Sequence, residues 1–265
     1  MADPDPELVA RLRAAGCVFA EDEAGLLQAE ARSAEDLEAM AVRRVAGEPL
    51  ELVLGWAELA GVRVRVAEGV FVPRQRSALL VRLAVEVRPR VVVDLGCGTG
   101  ALGAAVAARV PEAEVWAVDI DPAAVECARQ NLPTERVLLG DLYAPLPGGL
   151  RGRVDVLLAN APYVPTDAVA LMPPEARDHE HRVALDGGGD GLDVQRRVVE
   201  GAASWLRPGG VLLSECGRDQ AAVLAGLMTA AGLDPTVRTD DEIGATAVAG
   251  VLPVSFRRAH RTDDL

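Results

Sequence analysis

The sequence predicts an α/β protein: a doubly wound, seven-stranded, mostly parallel sheet with an antiparallel edge hairpin, preceded by a small helical domain. Three observations predict it. From about Ser77 onward, apolar strand-like runs alternate with helical ones, the pattern of a parallel sheet covered by helices. The last two strand-like runs have no helix between them, so they form a hairpin at one edge. Before them all, residues 1–48 are rich in Ala, Leu, Glu and Arg, with apolar residues recurring at three and four, the period of an amphipathic helix.

Each element has a local reason. Glu7 to Arg13 and Glu21 to Arg44 read as helical, with Ser33 capping a new start and acids following it. Gly47-Glu-Pro49 breaks the pattern. Glu51 to Gly55 reads as a strand, and Val62 to Val66 alternates with period two, as a half-buried strand does. Glu68-Gly69 then turns the chain into Val70-Phe-Val72, so residues 49–76 are expected as a β-hairpin linker. The catalytic domain is expected at 77–265. Its strands are Val91 to Leu95, Glu114 to Val118, Arg136 to Leu139, Val154 to Ala159 and Val211 to Glu215, then Pro235 to Thr239 and Ala245 to Leu252. Helices fall at Ala101 to Val110, Pro122 to Asn131, Asp193 to Trp205 and Gln220 to Ala231. Asp121 caps the second of these, with Pro122 in its first position.

Composition narrows the function. Of 265 residues, 50% are hydrophobic and 25% charged, a globular balance. The net charge is −13, and all 27 basic residues are Arg. Such acidity argues against gripping nucleic acid by charge. The absence of Lys, with abundant Ala, Gly and Pro, reflects a genome rich in G and C. No apolar run reaches the roughly 18 residues of a membrane span, and the N-terminus lacks a basic-then-apolar leader. The four cysteines form no C-x-x-C pair, as expected of free thiols in the cytoplasm. A monomer without metal is expected.

Asp94-Leu-Gly-Cys-Gly-Thr-Gly100 ends the first core strand and opens a helix. Glycines there let the backbone turn sharply and come close to a ligand. Gly96, Gly98 and Ala101 also satisfy a dinucleotide pattern, so Asp94 discriminates. A carboxylate repels a pyrophosphate but suits an ammonium group. That favours S-adenosylmethionine over NAD, with Gly96, Cys97, Gly98 and Gly100 in the binding loop. Asp119, at the end of the next strand, is placed to take both ribose hydroxyls, beside Ile120. Asp141 and Leu142 follow the third strand, where adenine would lie. Cys97 reads as packing rather than a nucleophile, since nothing beside it lowers its pKa.

Asn160-Ala-Pro-Tyr163 follows the strand Val154 to Ala159. Here the chain resembles the protein-(glutamine-N(5)) methyltransferases, as a divergent member; they modify a glutamine in release factors or in a ribosomal protein and carry Asn-Pro-Pro-Tyr at this point. The resemblance implies an amide substrate. An amide nitrogen is a poor nucleophile because its lone pair is delocalised, so methylating one requires holding it in line with the donor. The Asn160 side-chain oxygen and the carbonyl of Ala161 can each accept an amide N–H and stabilise the charge developing on nitrogen. Pro162 stiffens the turn and Tyr163 walls the slot. The resemblance spans about residues 47–252. It includes Gly47-Glu-Pro-Leu50 with Leu54-Gly55, Phe71-Val-Pro-Arg74, and Ala184-Leu-Asp-Gly-Gly-Gly-Asp-Gly-Leu192. It implies a Rossmann-like class I methyltransferase fold, S-adenosylmethionine as donor, and a helical N-terminal domain that docks the protein substrate.

Three departures bear on the substrate. Ala161 stands where the family has Pro, and Pro73-Arg-Gln-Arg-Ser-Ala78 replaces its acid-bearing Pro-Arg-Pro-Glu/Asp-Thr-Glu. The N-terminal domain is also shorter, by a helix or two. Release factor methylation leads. Methylation of a ribosomal protein glutamine or of an exocyclic base amine are alternatives, as is a non-catalytic cofactor- or partner-binding module. Outside these motifs, Asp186 to Asp193 lacks the ligand pattern of a calcium loop. His179 and His181 read as solvated. Glu175 and Arg177 are candidates to line the substrate slot. Phe71 and Val72 read as packing between domains.

Overall fold

The computed structural model describes residues 3–172 and 177–254. Three helices, α1 (Pro6–Ala14), α2 (Ala20–Glu30) and α3 (Ala34–Val45), begin the chain. Asp5 and Ser33 cap α1 and α3 by accepting backbone N–H groups from Glu7 and Asp36. They close on a small core of Leu8, Leu12, Leu27, Met40 and Val53. A buried pair crosses it, with Arg44 Nε donating to Glu23 Oε2 at 2.6 Å.

The link differs from its sequence reading. Residues 50–54 form a helical turn, α4 (Leu50–Leu54), not a strand. Pro49 precedes it and Gly55, at φ +77°, ends it in the left-handed conformation that glycine adopts without strain. The hairpin is shorter: β1 (Trp56–Leu59) pairs with β2 (Val62–Arg65). Val70 to Val72 join no sheet, and only Gly69 makes an isolated bridge, to Glu180. Residues 78–86, to which the periodicity assigned no element, form helix α5 (Ala78–Glu86).

The main sheet then builds as expected. Its strands are β3 (Val91–Leu95), β4 (Glu114–Asp119), β5 (Val137–Leu139), β6 (Val154–Ala159), β7 (Leu206–Glu215), β8 (Asp234–Asp240) and β9 (Ala245–Val251). Their spatial order is β5-β4-β3-β6-β7-β9-β8. The first five are parallel, and β9 runs antiparallel to both β7 and β8. Helices α6 (Ala101–Arg109), α7 (Pro122–Ala128), α8 (Asp193–Trp205) and α9 (Ala221–Ala230) complete the layers. Residues of β3 and β6 are buried throughout, as central parallel strands are. Val92, Val156 and Leu158 pack with α5 and α6 on one face. Val93, Leu95 and Leu157 pack with α8 and α9 on the other. Strand order reverses between β3 and β6, which opens a crevice at their carboxyl ends.

Candidate active site

The crevice holds a cavity lined by the glycine loop, the ends of β4, β5 and β6, and Phe71. Gly96 (φ +67°) and Gly98 (φ +54°) take the left-handed conformation, so backbone rather than side chain faces the space. Gly100 does not line it. At φ +75° it starts α6, and a Cβ there would lie 2.9 Å from Leu132 and 3.2 Å from the Ala128 Cβ. Its role is close packing against the end of α7. Asp94 also lies outside the cavity. It is fully buried beneath the loop, its Oδ2 accepting from Gly103 N at 3.1 Å, while Oδ1 has no hydrogen-bond partner. Burial lifts its pKa to about 7. Asp94 thus lies beneath the loop rather than on the cavity wall, where the sequence reading sets it against an ammonium group.

Asp119 does line the cavity. Its Oδ2 accepts from Gly98 N at 2.8 Å and its Oδ1 from Asp121 N at 2.9 Å. Each oxygen keeps a lone pair for a hydroxyl donor. Burial raises its pKa against the pull of these N–H groups. Ile120 is half exposed in the cavity, an apolar wall suited to a flat ring. Leu142 also lines it, at φ +46°, a strained conformation of the kind kept at ligand sites. Asp141 reaches the cavity but is paired with Arg197 of α8, which sequence reasoning missed. Cys97 is buried, and burial, then Asp94 and Asp119, push its thiol up, so it is packing. The donor set fits a nucleoside with a cationic tail: acceptors for ribose, an apolar wall for the base, and a buried carboxyl lacking a counter-charge.

Asn160, Ala161 and Pro162 close the opposite wall. Asn160 Nδ2 donates to the buried Ser77 Oγ at 3.1 Å, which fixes the amide. Ala161 O accepts from Gln195 Nε2 at 3.3 Å. Tyr163 leaves the cavity, and its hydroxyl donates to Glu215 Oε1 at 2.9 Å. The same oxygen accepts from Arg76 Nε at 3.0 Å, and Arg76 lies over the Tyr163 ring at 5.7 Å. Burial, then the Glu215 carboxylate, hold the Tyr163 pKa well above its usual value. Arg76, within the Pro73–Ala78 departure from the family pattern, thus sits against the turn at Asn160 to Tyr163. Ser77, Gln195 and Glu215 carry no pattern in the sequence that would find them, apart from Glu215 standing at a strand's carboxyl end.

The segment after the turn lies differently from its sequence reading. Gly187 N donates to Val164 O at 2.8 Å. A Cβ at Gly187 would be 2.6 Å from Pro162 O, and one at Gly191 would be 2.3 Å from Tyr163 O. The glycines of this loop pack on the main chain of the turn. His181 is not simply solvated: Nδ1 lies 2.6 Å from Asp121 Oδ2 and its ring covers Gly69. Val183 and Ala184 beyond it line the cavity, as does Phe71, whereas Val72 is core. Arg177 is exposed and pairs with Asp178; Glu175 lies outside the described residues. Among the described residues, no three His, Cys, Asp or Glu cluster to hold a metal, and no helix is long and apolar enough to cross a membrane.

A model of the methyltransferase small domain matches residues 62–174. The chain is 38% identical over 245 residues to the release factor glutamine methyltransferase of Deinococcus radiodurans, covering 89% of this chain and 88% of that one. It is 36% identical over 217 residues to the Geobacter sulfurreducens protein of the same name, covering 80% and 75%. A methyltransferase structure from Pyrococcus furiosus superposes with a TM-score of 0.53 at 17% identity, covering 73% of this chain and 90% of that one; at that identity it speaks for the fold alone. With a methyltransferase crevice and relatives aligned over most of their own length, the chain belongs to the release factor glutamine methyltransferase family.

Proposed function

We propose that this protein transfers the methyl group of S-adenosylmethionine to the side-chain amide nitrogen of a glutamine in a peptide chain release factor. The observation that carries this reading is the Asn160 turn, which faces the glycine-loop cavity with its amide fixed by Ser77. Because Nδ2 is spent on Ser77, Oδ1 is the atom free to accept a substrate N–H. The Ala161 carbonyl has one lone pair beyond its bond to Gln195 and can accept the second. Two acceptors orient an amide nitrogen and no other part of glutamine. When bound, the cofactor supplies a methyl already activated on a sulfonium, so the substrate needs no deprotonation first. Asp119 takes the ribose hydroxyls, Ile120 and Leu142 flank the base, and Asp141 lies at the adenine end. Gly96, Cys97 and Gly98 hold the methionine portion, with Asp94 acting through the loop.

Residues 1–48 dock the protein substrate, 49–76 link, and 77–265 catalyse. The protein works in the cytoplasm as a monomer and does not bind nucleic acid stably, a reading supported by its −13 charge. Incubation with labelled S-adenosylmethionine and purified release factor, ribosomal protein and bulk RNA tests it. Label is expected on the release factor. Label on RNA but on neither protein would overturn the proposal, and label on ribosomal protein alone would reassign the substrate.

A further inference from the structure

The turn that holds the substrate amide lacks the first proline of its family's motif, and its carbonyl is held instead by Gln195. That side chain is fully buried near the start of α8. Its Nε2 donates to Ala161 O at 3.3 Å, and its Oε1 is buried with no hydrogen-bond partner. An unmade bond on a buried amide is costly. An apolar side chain of the same length would remove that cost but leave the buried Ala161 carbonyl without its partner, so the glutamine leaves one bond unmade in order to hold that carbonyl. Neighbouring carbonyls are held too, Tyr163 O by Gln220 Nε2 and Val164 O by Gly187 N. Ala161 O is the member of this series that borders the cavity, and Gln195 is its partner.

We infer that Gln195 is a positioning residue for methyl transfer: it holds the Ala161 carbonyl at the angle that accepts the substrate N–H, doing by hydrogen bond what proline does by restricting φ. Pro162 already narrows the conformations open to Ala161, but alanine leaves φ unlocked where proline would fix it, and the bond from α8 supplies the missing restraint. Gln195 touches neither substrate nor cofactor. The inference rests on the reading of Asn160 to Tyr163 as the amide-holding turn.

Gln195→Met keeps the length and removes the donor. We expect kcat on the release factor to fall about fivefold, the worth of one neutral hydrogen bond. Cofactor Kd should be unchanged, and Tm should fall by no more than the about 2–4 °C that one lost hydrogen bond costs a chain of this size. Adding Ala161→Pro to Gln195→Met should restore most of the lost kcat, because proline supplies the restriction again. The carbonyl 13C resonance of Ala161 in the cofactor-bound protein should move in Gln195→Met, which reads the positioning without any substrate. An unmoved resonance would overturn the inference even if wild type methylated no release factor, a result that would instead sink the proposed function. A fall in kcat with a lowered Tm and no rescue by Ala161→Pro would also overturn it, reducing Gln195 to a packing residue.

Discussion

Asn160 lines the cavity, and its side-chain amide is held by a bond from Nδ2 to Ser77 Oγ, which leaves Oδ1 as its acceptor. Replacing it with alanine removes an oriented acceptor where charge develops, a loss of roughly 100-fold in kcat. Cofactor Kd should stay within about twofold, because Asp119 and the loop backbone carry that binding. Isothermal titration beside single-turnover rates checks both, and a collapse of cofactor affinity would show the role is wrong. Asp94 makes a prediction of the opposite kind. Its pKa rises from the ordinary carboxylate range to about 7 on folding, so the folded state favours the protonated form. Its contribution is fully present at low pH and is lost as pH rises from about 4 through 7. Asp94→Asn should therefore match wild type near pH 4 and exceed it at pH 8, by on the order of 3 kcal/mol. Urea melts at the two pH values measure this, and a gap independent of pH would refute it. Cofactor affinity in the wild type should strengthen as pH climbs through about 7, since a cation above the loop favours the ionised carboxyl. Asp94→Asn should flatten that dependence.

At the scale of elements, the same glycine loop combines two tasks. Gly96 and Gly98 yield space to a ligand, whereas Gly100 yields space to the end of α7. Gly100→Ala strains φ and drives a methyl against Leu132 and Ala128, costing about 2–3 kcal/mol. Denaturant melts should register the whole loss. The helices α2 and α3 depend on the buried Glu23–Arg44 pair. Arg44→Ala leaves a buried carboxylate without that partner and should cost about 3 kcal/mol, while the double change Glu23→Leu, Arg44→Met should cost much less. A double variant as unstable as the single one would contradict this. Spacing alone located the parallel strands, because burial on both faces writes itself as apolar runs such as Val91 to Leu95. It failed at residues 50–54, where five residues suit a strand or a helical turn equally and the left-handed Gly55 decides. It also assigned nothing at 78–86, although Leu79, Leu80, Leu83 and Ala84 recur there with helical spacing and form the buried face.

Across the whole molecule, Asn131 joins parts that the sequence keeps far apart. Its Oδ1 accepts from Arg65 N at 2.8 Å, and its Nδ2 donates to Arg65 O at 3.0 Å and Thr99 O at 2.9 Å. It thus ties the hairpin beside the helical domain to the glycine loop. Asn131→Ala should weaken cofactor binding about five- to tenfold through the loosened loop; unchanged affinity with a lowered Tm would make the tie structural only. The sequence by itself determined the fold class and picked out the glycine loop, Asp119 and the Asn160 turn, which line one cavity, because strand periodicity and loop chemistry are encoded within a few residues of each other. Only the tertiary structure decided that Asp94 and Gly100 stand behind the loop rather than in the cavity. It alone brought Ser77, Gln195, Glu215 and Arg76 around the Asn160 turn and paired His181 with Asp121. These side chains act across separations of 34 to 139 positions, and spacing along a chain carries no record of which distant groups a packed sheet will bring within hydrogen-bond reach.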